Sequence, residues 1–255
     1  VDLEPVPDTP ALRMRGGSNW VCVADLHLGM ETELRRAGFN IPTQTPKMLA
    51  KLKEIASPGD RLLVLGDVKH RIPWAGYRED REIRPFFSEL QRDFDEVVIM
   101  AGNHDGGITE VLPDGVKASS GRGDLVEDVG VFHGHLWPSD KAMSGKKLVM
   151  GHIHPAVVLV DSIGTRSTEK CWLRAKLNRD TVLDRYRKCP AELVVLPAFN
   201  PLLTGTPVNT TGGSKLGPIF KNELVDRTSY RVYLLDGTNL GTPVMHAPRK
   251  PWKRS

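Results

Sequence analysis

Several features that would set a chain apart from ordinary globular proteins are scarce here. The 255 residues hold only three cysteines, Cys22, Cys171 and Cys189, with no Cys-x-x-Cys spacing. That excludes a disulfide scaffold, and Cys171 and Cys189 read as inert small apolar residues. No apolar run is long enough to cross a bilayer. The opening stretch, Val1–Pro10, is acidic and proline-bearing, the opposite of a signal or transit peptide. A reduced, cytoplasmic setting is therefore expected. Internal repeats are absent and no linker divides the chain, so a single domain over residues 1–255 is expected.

The formal charge is modestly positive, with 35 Lys and Arg against 31 Asp and Glu. Its distribution says more. Between Gly164 and Pro190, Arg166, Lys170, Arg174, Lys176, Arg179, Arg185, Arg187 and Lys188 face only Glu169, Asp180 and Asp184. From about residue 247 a basic tail, expected to be flexible, carries Arg249, Lys250, Lys253 and Arg254. Such clusters suit a polyanionic partner, nucleic acid among them. A solvated surface with a frayed tail is the alternative.

The first half alternates strand-like and helix-like segments, the pattern of a layered α/β fold. Trp20–Ala24, Arg61–Leu65, Val97–Met100, Gly130–Phe132 and Lys147–Met150 read as buried strands. Glu31–Ala37 reads as a helix stopped by Gly38. Thr45 and Pro46 form an N-cap and N1 pair for a second helix with an apolar face of Leu49, Leu52, Ile55 and Ala56. A third helix is expected over Glu79–Phe94, where Pro85 either kinks it or marks its start. The remainder is mostly β, in Val157–Val160, Lys170–Leu173, Leu193–Leu196 and Tyr230–Leu235. Pro201–Gly217 is a long loop.

Each of the first five strands runs into a polar segment: Asp25-Leu26-His27, Gly66-Asp67, Gly102-Asn103-His104-Asp105, His133-Gly134-His135 and Gly151-His152-Ile153-His154. Ligands gather at strand ends in α/β sheets. Seven of the eight histidines lie in or beside these segments, and only His246 does not. One strand histidine is more often structural than functional, but seven at five strand ends are not explained that way. Imidazole, carboxylate and amide oxygens without a nearby thiolate favour Mn, Zn, Fe, Ni or Co. The candidates outnumber the needs of one octahedral ion, whereas two divalent ions sharing a carboxylate would use them all. Asp67 is the natural bridge, having two oxygens to offer.

In order and spacing, these five segments resemble the motifs of the calcineurin-like metallophosphoesterase superfamily, over roughly Trp20 to Pro155. The wording Ala24-Asp25-Leu26-His27-Leu28-Gly29, Leu65-Gly66-Asp67-Val68-Lys69-His70 and Leu196-Pro197-Ala198-Phe199-Asn200 is similar to the Icc-like and DNA-ligase-associated phosphoesterases. The resemblance implies a four-layer αββα sandwich with two mixed β-sheets. It also implies one metal, with Mn the first choice, on Asp25, His27 and His154, and another on Asn103, His133 and His152, with Asp67 bridging. A water acidified between the two cations would attack phosphorus in line. His104 would stabilise the phosphoryl group or protonate the leaving oxygen. Asp105 would orient that imidazole, or else cap a helix beginning near Gly106.

His70 and His135 border the motifs without an assigned role. Trp74, Tyr77 and Trp137 follow metal motifs and either stack a nucleobase or pack their loops. Asn200 either reaches the site's rim or serves the turn before Pro201. The chain ends soon after the second sheet, which points away from a capped, processive nuclease and toward a small exonuclease or phosphodiesterase. The expectation is a metal-dependent phosphodiesterase of nucleic acid or nucleotides. Its rivals are a phosphomonoesterase, a dinucleoside polyphosphate hydrolase, a protein phosphatase and a metal-free protein-binding scaffold. An intact ligand set argues against the last.

Overall fold

The structure is a computed structural model that describes residues 1–70, 80–210 and 216–245. Trp74, Tyr77, His246 and the basic tail fall outside the described residues.

Two sheets carry the fold. The first joins β1 (Asp2–Pro5), β2 (Leu12–Arg15), β3 (Asn19–Val23), β4 (Asp60–Val64), β5 (Glu96–Met100) and β6 (Lys117–Ser119) in sequence order. Its first three strands are antiparallel and β3 to β6 run parallel. The second sheet holds β7 (Asp124–Val126), β8 (Val129–Phe132), β9 (Lys147–Met150), β10 (Pro155–Val160), β11 (Arg166–Leu177), β12 (Glu192–Val195), β13 (Thr206–Pro207), β14 (Val225–Leu234) and β15 (Asn239–Gly241). Within it β8, β9 and β12 are parallel neighbours. The helices are α1 (Met30–Arg36), α2 (Thr45–Ile55), α3 (Asp80–Leu90) and three short ones, α4 (Asp140–Met143), α5 (Arg179–Leu183) and α6 (Pro218–Lys221).

Side chains alternate between two faces along a strand, and the layers follow from that period. In β3, Val21 and Val23 join one apolar cluster with residues of α2 and α3, while Trp20 and Cys22 join a second. Leu62 and Val64 of β4 go with the helices, and Leu63 goes with the second cluster. On the other sheet Val149, Trp172 and Val194 enter that same second cluster. Their neighbours Leu148, Leu173 and Val195 turn outward to a third cluster with Val182 of α5 and Ile219 of α6. Three cores thus separate four layers, helix, sheet, sheet and helix. Burying one such Val or Leu stabilises by roughly 1.5–3 kcal/mol, so a charge at Val21 or Val149 would part the layers.

Some local expectations are corrected. Thr45 is the first helical residue rather than the N-cap. Gln44 holds the cap position without a side-chain bond, and the Thr45 hydroxyl donates instead to Glu82 across to α3 at 2.9 Å. Met48 joins the expected apolar face as a buried member, and Leu49 packs against the same core partly buried. Pro85 sits inside α3 rather than at its start. The stretch after Gly106 is a single 3₁₀ turn, Ile108–Glu110. The acidic start forms an edge strand, β1, where proline is tolerated because one side needs no ladder bond.

Candidate metal centre

The strand directions assemble the site. Because β3, β4 and β5 are parallel, Asp25, Asp67 and Asn103 emerge at one end of the first sheet. The parallel pair β8 and β9 delivers His133, His152 and His154 from the second. The loops then lock by backbone bonds. The amide of Asp25 donates to Gly66 (3.0 Å), that of His27 to Asp67 (2.8 Å) and that of Gly151 to His133 (3.1 Å).

Two groups of ligand atoms result, Asp25 with His27, Asp67 and His154, and Asp67 with His133 and His152. Asp67 belongs to both. Its Oδ1 accepts the amide of His104 (2.9 Å). Its Oδ2 lies 3.6 Å from Nε2 of His27 and 3.4 Å from Nε2 of His133. The Oδ1 of Asp25 stands 3.2 Å from Nε2 of His154. The Oδ1 of Asn103 lies 3.3 Å from Nε2 of His133. Nδ1 of His133 donates to the carbonyl of Leu65 (2.7 Å), which turns Nε2 toward the cluster, where a metal would take the place of its proton. Buried polar atoms normally find partners, yet Nε2 of His27 and Nε2 of His154 have none. Two unpartnered imidazole nitrogens beside two carboxylates fit divalent cations.

The backbone here is unusual. Among the described residues eight non-glycines have positive φ, and five of them are Asp25 (59°), His27 (41°), Asp67 (50°), His152 (73°) and His154 (44°). Asp and His enter this region more readily than most residues, but each such turn still stores about 1–3 kcal/mol. The motif glycines make room. A Cβ on Gly102 would fall on the carboxylate and amide of Asp67, and one on Gly66 would strike the His133 ring.

Electrostatics bind the two sheets. Burial alone would raise the Asp67 carboxyl, but the hydrogen bond and charge of His133 outweigh it and hold Asp67 far below the usual carboxylate range. Burial likewise opposes charge on His133, and Asp67 overcomes it, lifting the imidazole to about 9. Burial pushes His27 and His152 down to about 4.

His104 sits apart in character. Its side chain is 25% exposed with Nε2 4.0 Å from Oδ2 of Asp67. Nδ1 donates to the carbonyl of His70 (2.6 Å). The orienting group is therefore that carbonyl and not Asp105. The buried Asp105 carboxylate accepts the amides of Gly102 (2.8 Å) and Lys69 (3.1 Å), joining two motif loops. The His70 ring lies between Glu33 (3.1 Å) and Nδ1 of His27 (3.3 Å). His135 packs on His133, ring centroids 5.2 Å apart, with its Nδ1 buried and unpartnered. Trp137 is covered by the Arg185 guanidinium, 3.8 Å from the ring centroid, which favours packing over base stacking.

Asn200 is fully buried. Its amide donates to the carbonyls of Leu26 (2.8 Å) and His27 (3.3 Å) and accepts the amide of Leu202 (2.9 Å). Lys170 in turn donates to the carbonyls of Ala198 (2.7 Å) and Asn200 (2.6 Å). Burial pulls this ammonium down to about 8, with Asp25 opposing. In the sequence Lys170 reads as one more surface cation and Asn200 as rim or turn. The parallel pairing of β12 with β9 delivers Asn200 to this end, and that pairing is a property of the fold with no local signature.

A fold of this kind, with this cluster at its strand ends, defines a class. Residues 20–195 match the family model for calcineurin-like phosphoesterase, and the chain belongs to that family, hydrolases of phosphate esters that use divalent metals. Among solved structures it is similar to the nuclease MPE of Pseudomonas putida, with TM-score 0.50 and 17% identity over 94% of this chain and 100% of that chain. It also overlaps AQ665 of Aquifex aeolicus, a protein of unknown function, with TM-score 0.36 and 16% identity over 53% of this chain and 78% of that chain. The first likeness is one of fold, and the second decides nothing. No curated protein matches the chain. Among the described residues no helix is long and apolar enough to cross a membrane.

Proposed function

We propose that the chain is a phosphodiesterase of nucleic acid or nucleotides that works with two divalent ions, Mn²⁺ first among them. The observation that carries the two-ion reading is Asp67, whose carboxylate belongs to both ligand groups. Asp25, His27, Asp67 and His154 would hold one ion, and Asp67, Asn103, His133 and His152 the other. Such a pair supplies positive charge that acidifies water and neutralises phosphate. The chain's own residues then divide the remaining work. His104 keeps its Nδ1 proton on the His70 carbonyl, so Nε2 faces the cluster, and in the doubly protonated ring it donates a hydrogen bond to the phosphate or its proton to the leaving oxygen. Asp105 and Lys69 hold the His104 loop against the Asp67 loop.

The diester reading is supported by the Lys and Arg excess in the strand–helix segment after Gly164 and in the tail, and by the nuclease named among the structural neighbours. Inward use of Lys170 and pairing of Arg174 with Glu192 (2.7 Å) leave Arg166, Lys176, Arg179, Arg185, Arg187 and Lys188 as the exposed part of that segment's charge. The test is a panel with added Mn²⁺: bis-p-nitrophenyl phosphate, p-nitrophenyl phosphate, cyclic nucleotides, and single- and double-stranded DNA and RNA. Turnover of the diesters and of at least one nucleic acid is expected. Hydrolysis of the monoester alone would replace this reading with a phosphomonoesterase.

A further inference from the structure

His133 and His27 are held by partners of different kinds. His133 gives its Nδ1 proton to a backbone carbonyl, that of Leu65. A carbonyl can only accept, so it sets the position of that proton by itself. His27 has no such partner. Among the described residues the one group within hydrogen-bond distance of its Nδ1 is a second imidazole, Nδ1 of His70 at 3.3 Å.

A neutral imidazole donates at one nitrogen and accepts at the other. His70 can therefore fix His27 only if its own proton is fixed first. That proton has a place. Nε2 of His70 lies 3.1 Å from a carboxylate oxygen of Glu33, and a carboxylate only accepts. With its proton on Nε2, His70 has a lone pair on Nδ1, which takes the Nδ1 proton of His27. The lone pair of His27 is then left on Nε2, which is buried, unpartnered and 3.6 Å from Oδ2 of Asp67. The opposite placement would put a proton on Nε2, where an ion has to bind.

The backbone holds the three groups in line. The amide of Leu28 donates to the carbonyl of Val68 (2.8 Å) and that of His70 to Leu28 (3.2 Å), which seats His70 alongside the Asp25–His27 loop. The helix α1 begins at Met30, just after that loop, and carries Glu33 to the outer edge of the His70 ring. Side-chain exposure falls from 62% at Glu33 through 18% at His70 to 5% at His27. The carboxylate thus stays in water, where its charge carries little desolvation penalty, while its influence reaches a buried ligand.

We infer that Glu33 and His70 are positioning residues for the metal centre: the carboxylate sets the His70 tautomer, and His70 sets that of His27, so that Nε2 of His27 is open to a divalent ion. This rests on the reading of His27 as a metal ligand. Groups that orient a ligating histidine in this way typically change metal affinity 10–100-fold when lost.

The test compares the full chain with His70→Leu, His70→Asn, Glu33→Leu and His27→Ala. In ¹⁵N-labelled protein kept in chelator, long-range ¹H–¹⁵N correlation tells protonated ring nitrogens from bare ones. The His27 and His70 rings are identified by their loss in His27→Ala and His70→Leu. The wild type should show His27 protonated at Nδ1 and His70 at Nε2. In His70→Leu the His27 ring should shift toward the Nε2–H form, and calorimetry should find Mn²⁺ affinity at one site lowered roughly 10–100-fold. His70→Asn returns an acceptor oxygen near the place of Nδ1 and should recover most of that loss. Glu33→Leu should lose less than His70→Leu, because water can accept the freed His70 proton. Turnover of His70→Leu should return at saturating Mn²⁺, since His104 is held by the His70 backbone carbonyl, which the substitution keeps. A general disturbance of the loop would not be reversed by metal. Wild-type His27 protonated at Nε2, or unaltered Mn²⁺ affinity in His70→Leu, overturns the inference. Wild-type affinity in Glu33→Leu overturns the carboxylate's part. The wild-type spectrum and Glu33→Leu decide alone should His70→Leu not fold. Two tightly held metals in His27→Ala would instead overturn the ligand reading beneath it.

Discussion

Replacing Asn200 with alanine should weaken both the fold and the metal centre, by amounts that the geometry allows to be estimated. The side chain makes three hydrogen bonds, two to the carbonyls of Leu26 and His27 and one from the amide of Leu202. Each is worth about 1 kcal/mol net, and alanine leaves the partners buried without a substitute. The loss should be about 3 kcal/mol, or a fall in Tm of roughly 6–12 °C for a chain of this size. A second effect follows from position. His27 is held at a φ of 41° with its carbonyl tied to Asn200. Once released, the turn can relax toward a commoner conformation and carry the imidazole with it. Supporting groups of this kind typically change metal affinity 10–100-fold when lost. The assays are thermal unfolding in chelator and titration calorimetry with Mn²⁺. A Tm change under about 1 °C would refute the bonding argument. A large fall in Tm with unaltered Mn²⁺ affinity would reduce Asn200 to an ordinary buried amide and refute its link to the site.

Asp67→Asn should empty both metal sites and abolish hydrolysis; two retained metals by elemental analysis with near-normal turnover would sink the shared-ligand reading. His104→Ala should keep its metals yet lose roughly 10²–10⁴ in turnover on a poor leaving group and less on p-nitrophenolate; equal losses would leave phosphate stabilisation as its only role. In chelator, stability should fall as pH drops from about 6.5 toward 4, because an unfolded chain takes up protons on His27, His135 and His152 that the folded chain refuses. It should also fall as pH rises from about 6.5 toward 8, where folded His133 keeps a proton that the unfolded chain has lost; above 8 the early loss of the Lys170 proton in the folded chain offsets the further fall. Urea midpoints across this range should peak near 6.5, and a flat profile would count against the buried charges. Truncation after Pro248 removes Arg249, Lys250, Lys253 and Arg254. It should flatten the log–log salt slope of single-strand binding by roughly 3 units if all four touch phosphates. Anisotropy with His104→Ala present measures this, and an unchanged slope would remove the tail from the interface.

Much of the site was legible because strand ends announce themselves. Each short apolar run stops at a polar segment, and Asp25, Asp67, Asn103, His133 and His152 each follow one closely. The same period of two that marked the strands also sorted their side chains between cores. Harder to see were residues whose role depends on distant backbone. Asn200 bonds to carbonyls 173 and 174 positions away, and no local pattern encodes that. Lys170 looked like its cationic neighbours because composition does not record which way a strand residue points. Thr45 had a good capping neighbourhood, but Glu82 offered its hydroxyl a tertiary partner instead. The left-handed turns at the ligands were invisible too, since Asp and His carry no signal comparable to glycine.

The apolar contact between the two sheets is strong but has no preferred direction, and two greasy faces can slide past each other at little penalty. At one end, however, Asp25 of the first sheet receives the amide of His152 from the second at 3.1 Å, and Asp67 faces His133 across the same seam. Those contacts are directional and tolerate displacements of only a fraction of an ångström. The cluster therefore sets the registry of the whole sandwich, much as a dowel fixes two boards that glue alone would leave free to creep. Strand order decides which layers meet, and this polar end decides where along their length they stop.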